Sequence, residues 1–372
     1  MAVRDESSCQ QWQDDVSVDT SLAGSMAAIP LYEFRKKALR LPSPLARARL
    51  TAMARSIPRT AWRIFRLTRI ARRQGKRLHL VFLPSHLGDV VAAEPAVRAL
   101  VSDDILLVWL ICPQYADILK NIPWLGGIVP ITCHTEWLFL RPFFCGLTTT
   151  TMFPDEEPCA WFRFSIRNRN PFGITFENYY SHGSLLSVFS QCGLGRIIDE
   201  QPKVYPDPAF PPNVATASLA LYPKTRYIVL HCVSQEVART WPAEKFRAVV
   251  DWILVNTDLH IVELGIEPIL VPSSRLIQPK LRFSLDQQMQ FVASASLFIG
   301  VDSGFAHIAN ACGVPSIIVM GKFKQWNNHM PFSGAWARSD RFRLLRADGQ
   351  IADLSCQRVI GALREVLGKE SD

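Results

Sequence analysis

The 372-residue chain contains no apolar run able to cross a bilayer. The longest, Ile105 to Cys112, is far below the ~20 residues that a spanning helix needs. Its first residues, MAVRDESSCQQWQDD, lack the hydrophobic core of an export signal, so the reading is a cytoplasmic protein. Nine cysteines are present, but without a C-x-x-C pair or a His/Cys cluster. That argues against zinc and against a disulfide framework, and it favours free, buried thiols in a reducing compartment. There is no G-x-G-x-x-G, so none of the strand-to-helix turns is a dinucleotide fingerprint. Acid is nearly missing from one long segment: residues 30–77 hold fifteen basic side chains against the lone Glu33. Residues 1–29 carry one basic and five acidic groups, so the formal charge of +8 belongs to that segment and not to the chain as a whole.

What is present sorts along the chain. Residues 1–29 are polar, aperiodic and expected to be disordered. Residues 31–40 and, after Pro42 and Pro44, residues 46–57 and 60–73 read as short basic helices, with Trp62, Phe65, Leu67 and Ile70 among the arginines. Three uses compete for this segment: an arm packing its apolar stripe on the body, a helix on an anionic membrane surface, or a nucleic-acid contact. No RNA- or DNA-binding motif accompanies the charge, so nucleic acid is not expected as a partner.

From Lys76 the pattern changes to strand, helix, strand, which predicts a parallel sheet. KRLHLVFLP runs into Ser85-His86-Leu87-Gly88-Asp89, a helix to Leu100 and a second apolar strand. Residues 133–210 are dense in aromatics and prolines, with Arg163 and Arg167 among them. They read either as the lining of an acceptor pocket or as a loop-rich core. Prolines 202, 206, 208, 211 and 212 mark a linker, and a second strand–helix series begins at Arg226.

The most informative stretch is SLFIGVDSGFAHIANACGVPSIIVMG, residues 296–321. An apolar strand breaks at Asp302-Ser303-Gly304, a helix follows, and Gly313-Val314-Pro315 stops it before another buried strand. A helix N-terminus at the carboxyl end of a parallel strand is suited to phosphate or pyrophosphate, and Gly304 would allow close approach. Taken singly, Asp302 or Ser303 reads equally well as a helix cap, His307 as a satisfied half-buried histidine, and Asp89 as a cap of its own helix. A serine nucleophile elbow fits less well, because the order is G-V-D-S-G and not G-x-S-x-G.

The string Asp302, Ser303, Gly304, His307, Ala309, Ala311, Gly313, Pro315 closely resembles the D-[ST]-G-x-x-H-x-A-x-A-x-G-x-P signature of glycosyltransferase family 9, the ADP-heptose:lipopolysaccharide heptosyltransferases. Gly88-Asp89 with Pro95 and Leu100 resembles the family's L-G-D motif. HCVSQEVARTWPAEKF is similar to its K-x-W-P segment, with Arg239 at the lysine position and Trp241, Pro242 and Phe246 matching. Glu263-Leu264-Gly265 resembles the strand end beside the nucleotide. There are departures: residues 1–75 have no counterpart in the family pattern, Ala92 replaces a histidine found in some members, and Met320-Gly321-Lys322-Phe323 replaces F-G-x-[TS].

The resemblance implies an α/β GT-B fold: two Rossmann-like domains facing a cleft, with a basic helical extension at the N-terminus. The expected divisions are 1–29, the extension 30–75, an acceptor domain 76–210, a nucleotide-sugar donor domain 211–350, and a terminal helix 351–372. The implied reaction is transfer of heptose or a related sugar from a nucleotide diphosphate, with ADP-heptose as the expected donor, to a hydroxyl of a lipopolysaccharide core or other glycan. No metal or cofactor is called for. Asp89 is implied as catalytic base; Ser234, Arg239, Glu263, Asp302, Ser303, Gly304 and His307 as donor-binding; Arg163 and Arg167 as acceptor-binding. A nucleotide-sugar epimerase or hydrolase on the same fold, and a non-catalytic glycan-assembly scaffold, remain as alternatives.

Overall fold

A computed structural model of the chain describes residues 33–34, 44–131, 134–152, 164–165, 170–175, 177–221, 225–234, 237–265, 268–279, 283–322 and 329–368. Arg163 and Arg167, Cys9, Cys133 and Cys159, and the expectation for residues 1–29 lie outside them. Among the described residues no helix is long and apolar enough to cross a membrane.

Within the basic segment, residues 44–73 form one continuous helix, α1 (Pro44–Arg73), and Glu33–Phe34 pairs with Phe164–Ser165 in a two-residue ladder. Of the short helices expected over 31–40, 46–57 and 60–73, the last two are joined in α1, while the first lies outside the described residues except for Glu33–Phe34, which is strand. Pro58 and Ala54, whose carbonyl loses its usual donor, both lie on the exposed side, where water can replace that donor.

The first sheet comprises β1 (Arg77–Phe82), β2 (Ile105–Ile111), β3 (Gly127–Pro130) and β4 (Thr148–Thr151), all parallel in the order β3-β2-β1-β4. Helix α2 (Leu87–Arg98) follows β1, and α3 (His134–Leu140) precedes β4. Alternation along the strands sorts the side chains by face. Leu78, Leu80, Phe82, Leu106, Val108 and Leu110 pack with Ile64 and Ala71 of α1 and Trp137 of α3. Val81, Leu83, Leu107, Trp109 and Ile111 pack with α2 and with Leu186 and Phe189 of α4 (Leu185–Leu194). The extension thus supplies one of the two covers of this sheet.

The second half opens with α5 (Pro212–Ser218) and builds a six-stranded parallel sheet: β5 (Tyr227–His231), β6 (His260–Leu264), β7 (Leu276–Ile277), β8 (Leu297–Val301), β9 (Ser316–Met320) and β10 (Phe342–Arg346), in the order β10-β9-β8-β5-β6-β7. One face is covered by α6 (Ala243–Asn256) and α10 (Cys356–Gly368). The terminal helix therefore completes this domain's core and is not a separate appendage. On the other face, α7 (Leu285–Ala293), α8 (Gly304–Cys312) and α9 (Gly334–Ala337) share one apolar cluster with α2 and α4 of the first half.

The proline-marked linker is no slack tether. Lys203 N–H donates to the buried Glu94 at 2.9 Å, and Asp199 accepts from Gly334 N–H at 3.1 Å. Gln201 donates to the Asn310 carbonyl at 2.9 Å, and Lys120 of the first half meets the fully buried Asp286 of the second at 2.8 Å. The closely packed interface is held by polar ties at its edges and apolar contact at its centre.

Candidate active site

Two helix N-termini meet where the halves touch. A Cβ placed on Gly88 at the start of α2 would lie 2.8 Å from the His307 ring, and one on Gly304 at the start of α8 would lie 2.7 Å from the Leu87 side chain. Only glycine lets the two helices approach so closely. Their unpaired N–H groups put two partially positive poles near one another.

Asp89 stands in the first turn of α2, and a capping role is not what its carboxylate serves. It accepts from Ser85 Oγ at 2.5 Å and lies 3.6 Å from His86 Nδ1; the N-cap residue is His86. Burial alone would raise the Asp89 carboxyl. Hydrogen bonding and charge from His86, the Ser85 hydrogen bond and the charge of His307 together outweigh it and hold the pKa below the usual carboxylate value. The group is an anion at neutral pH.

Across the junction, β8 delivers Asp302 and Ser303. Asp302 pairs with Arg239 Nη1 at 3.3 Å. Ser303 occupies the N-cap position of α8, yet its hydroxyl makes no capping bond; Oγ is enclosed and without a hydrogen-bond partner. His307, one turn on, is buried against Phe332 at a ring separation of 4.8 Å, and its Nδ1 also lacks a partner. Burial pushes its pKa down, opposed by the charges of Asp302 and Asp89. It is therefore not the satisfied histidine of the simplest reading. Buried, unpaired polar atoms beside a helix N-terminus are costly unless something is bound there.

Arg239 reaches this place from the turn after β5. Trp241 and Phe246 anchor that turn: the indole is fully buried, stacks edge-on against Phe246 at 4.8 Å, and donates to the Leu354 carbonyl at 3.0 Å. Ser234 stands in the same loop, its N–H donating to Thr240 Oγ1 at 3.1 Å. Arg239 and Asp302 line a small pocket together with Val319, Met320, Gly321 and Ile351. Glu263 behaves differently from the expectation of a ribose contact. Its carboxylate is 2% exposed and accepts from Ile269 N–H (2.8 Å), Leu270 N–H (3.3 Å) and Gln278 Nε2 (2.7 Å), so it organises its own loop.

Several neighbours are given no role by the sequence motifs. His231, at the end of β5, packs on Phe305 at 4.8 Å, and burial lowers its pKa to about 4. His329 and Arg346 lie close enough to feel the Asp302 charge; burial lowers both pKa values, and Arg346 donates to the His329 carbonyl at 2.6 Å. Their signal was only a polar residue at the C-terminal end of an apolar strand or in the loop beyond it.

Residues 199–337 match the family model for glycosyltransferase family 9 (heptosyltransferase). The two ends of that span touch in the structure, Asp199 bonding Gly334. No curated protein sequence matches the chain. Among solved structures, the glycosyl transferase family 9 protein from Veillonella parvula DSM 2008 superposes with a TM-score of 0.58 at 14% identity, covering 79% of this chain and 97% of that one. The E. coli ADP-heptose lps heptosyltransferase II gives 0.56 at 13%, covering 79% and 99%. The E. coli heptosyltransferase WaaC with ADP gives 0.52 at 16%, covering 78% and 99%. At such identities the likeness speaks for the fold alone, which is GT-B, while residues 199–337, which carry the donor-side motifs, are similar to glycosyltransferase family 9.

Proposed function

We propose that the chain moves heptose or a related sugar from a nucleotide diphosphate, ADP-heptose being the best candidate, to a hydroxyl of a lipopolysaccharide core or similar glycolipid. The observation that carries this reading is the meeting of α2 and α8. An ionised carboxylate, Asp89, stands on one side, and on the other are a cation, Arg239, an unpaired hydroxyl, Ser303, and a helix N-terminus. Sugar transfer leaves negative charge on the departing pyrophosphate and requires a proton to leave the acceptor hydroxyl. Arg239, Ser303 and the first N–H groups of α8 would bind the former. Asp89, held ionised by Ser85 and His86, would accept the latter.

In this reading Asp302 orients Arg239, His307 closes the site from below, and the apolar residues beside Arg239 flank the base. Ser234 shapes the turn that carries Arg239, and Glu263 holds the loop over the strand end. The 76–210 half would receive the acceptor and the 211–350 half, completed by α10, the donor. ADP bound in WaaC supports the choice of donor base by analogy of fold.

Titration calorimetry against ADP, UDP, GDP and CDP, followed by turnover with ADP-heptose with and without a deacylated core acceptor, tests the proposal. ADP selectivity and acceptor-dependent release of ADP are expected. Turnover of donor alone would instead indicate a hydrolase or epimerase, and no nucleotide binding at all would indicate a scaffold.

A further inference from the structure

The two faces of α1 differ in kind. One face, Ile57, Thr60, Ala61, Ile64, Leu67 and Ala71, lies against the first sheet. It is pinned by Ser56 Oγ and Thr60 Oγ1, which donate to the fully buried Glu136 at 2.8 and 2.5 Å. The opposite face runs Arg55, Arg59, Trp62, Arg66, Arg69, Arg73, spaced four, three, four, three and four, with Arg63, Phe65 and Arg72 beside it. The whole helix holds nine arginines and no acid. Among the described residues none of the arginines from Arg55 to Arg73 has an ion-pair partner. Trp62 is 63% and Phe65 45% exposed, their rings 5.9 Å apart with the Arg69 guanidinium 6.0 Å from the Phe65 ring.

Among the described residues neither ring belongs to a core cluster, although each is large enough to anchor one. Helix stability does not explain the cations either, since like charges at i,i+3 and i,i+4 repel. We propose that this outward face of α1 docks the protein on an anionic lipid bilayer, with Trp62 and Phe65 entering the headgroup region and the surrounding arginines pairing with lipid phosphate. Amphipathic aromatics among cations are the composition that an interfacial helix needs, and a negative leaflet supplies the charge that the described residues do not. Because the helix is fixed along its inner face, no folding cost is incurred on contact; a rigid patch is presented. The inference goes beyond the transfer reaction proposed above while giving it a place, since a lipid-linked acceptor lies at such a surface.

The test is flotation of the full chain with phosphatidylcholine vesicles and with vesicles holding about 30% phosphatidylglycerol, at low salt and at roughly 0.5 M salt, where exposed charges are screened. Binding is expected only to the anionic vesicles, and weaker at high salt. Each arginine at the surface is worth about fivefold in partitioning (~1 kcal/mol), so the quadruple change Arg59→Gln, Arg63→Gln, Arg66→Gln, Arg69→Gln should lower it several-hundredfold and read as loss of binding. Trp62→Ala with Phe65→Ala should lower it roughly tenfold. Removing the same charge at the exposed Arg196, Arg247, Arg341 and Arg364 should leave at least half the binding. Unchanged melting temperatures would show that the variants fold. Turnover of a deacylated acceptor should be the same in all of them, which separates this inference from the proposed reaction. Equal losses from the two quadruple variants, binding to neutral vesicles, or retention on duplex DNA or RNA with none on vesicles would overturn it.

Discussion

The two halves of the molecule share a parallel sheet with helices on both faces, yet they differ in how much of their chemistry is written in short motifs. In the second half Asp302, Ser303, Gly304, His307 and Arg239 lie at strand ends and helix starts, where backbone geometry sets the position of every group. Phosphate recognition by N–H groups demands such geometry, so it constrains sequence tightly. The first half carries Asp89 and little else of that kind; its remaining demands are a packed sheet and surfaces, which many sequences satisfy. A family match confined to residues 199–337 is the natural result.

The comparison is sharpest at Asp89. Replacing it with Asn should lower the transfer rate by about 10²–10⁴ while leaving ADP affinity within a few-fold, since the first half would supply the base and the second the nucleotide site. Near-normal turnover would break that division of labour.

Acid should separate the halves next. The unfolded chain protonates His231 near pH 6.5, whereas the native ring resists until about 4. The native state therefore has its full stability above pH 6.5 and loses it as pH falls toward 4, by up to about 3 kcal/mol from this residue. Thermal melts of the wild type and of His231→Phe between pH 7 and 4.5 check this; the variant's Tm should depend less on pH, and parallel curves would rule the effect out.

Arg239→Ala should weaken nucleoside diphosphate binding by ~1.5–3 kcal/mol, and Arg239→Lys should recover part of it, a point charge replacing a fork. Calorimetry giving one affinity for all three proteins would remove Arg239 from the donor site. The smallest effect concerns the seam itself: Gly304→Ala sets a methyl against Leu87, at an overpacking cost of about 1–3 kcal/mol, and should slow turnover roughly tenfold by holding α2 and α8 apart. If turnover is unaffected, close approach of the helices is not required.

Much of the fold was legible in advance because strand and helix periods differ and both halves alternate them cleanly, as in Leu78-His79-Leu80-Val81-Phe82 and in Phe246, Val249, Val250, Ile253. Residues 46–57 and 60–73 read as two pieces in the sequence yet form one helix, since Pro58 does not break it where the lost hydrogen bond faces water. Glu263 was drawn to the nucleotide by its strand-end position. Its three donors come from residues 269, 270 and 278, a loop whose path no local pattern announces. No local pattern gives Arg346, His329 or His231 a role: Arg346 and His231 end strands placed in the order β10-β9-β8-β5, which is not the order of the chain, and His329 comes from the loop beyond β9.

By itself, then, the sequence determined the local events: where strands stop, which helix N-termini stand bare, that a carboxylate follows the first strand, and that one segment carries all of the excess cation. These depend on neighbours within a few residues and on periodicity. Tertiary structure alone decided that Gly88 and Gly304 face each other, that Asp89 is kept ionised close to His307, and which side of α1 is left to solvent. Each of those depends on contacts between residues tens to hundreds of positions apart, whose pairing is settled by burial of two shared cores and by nothing in the stretches themselves.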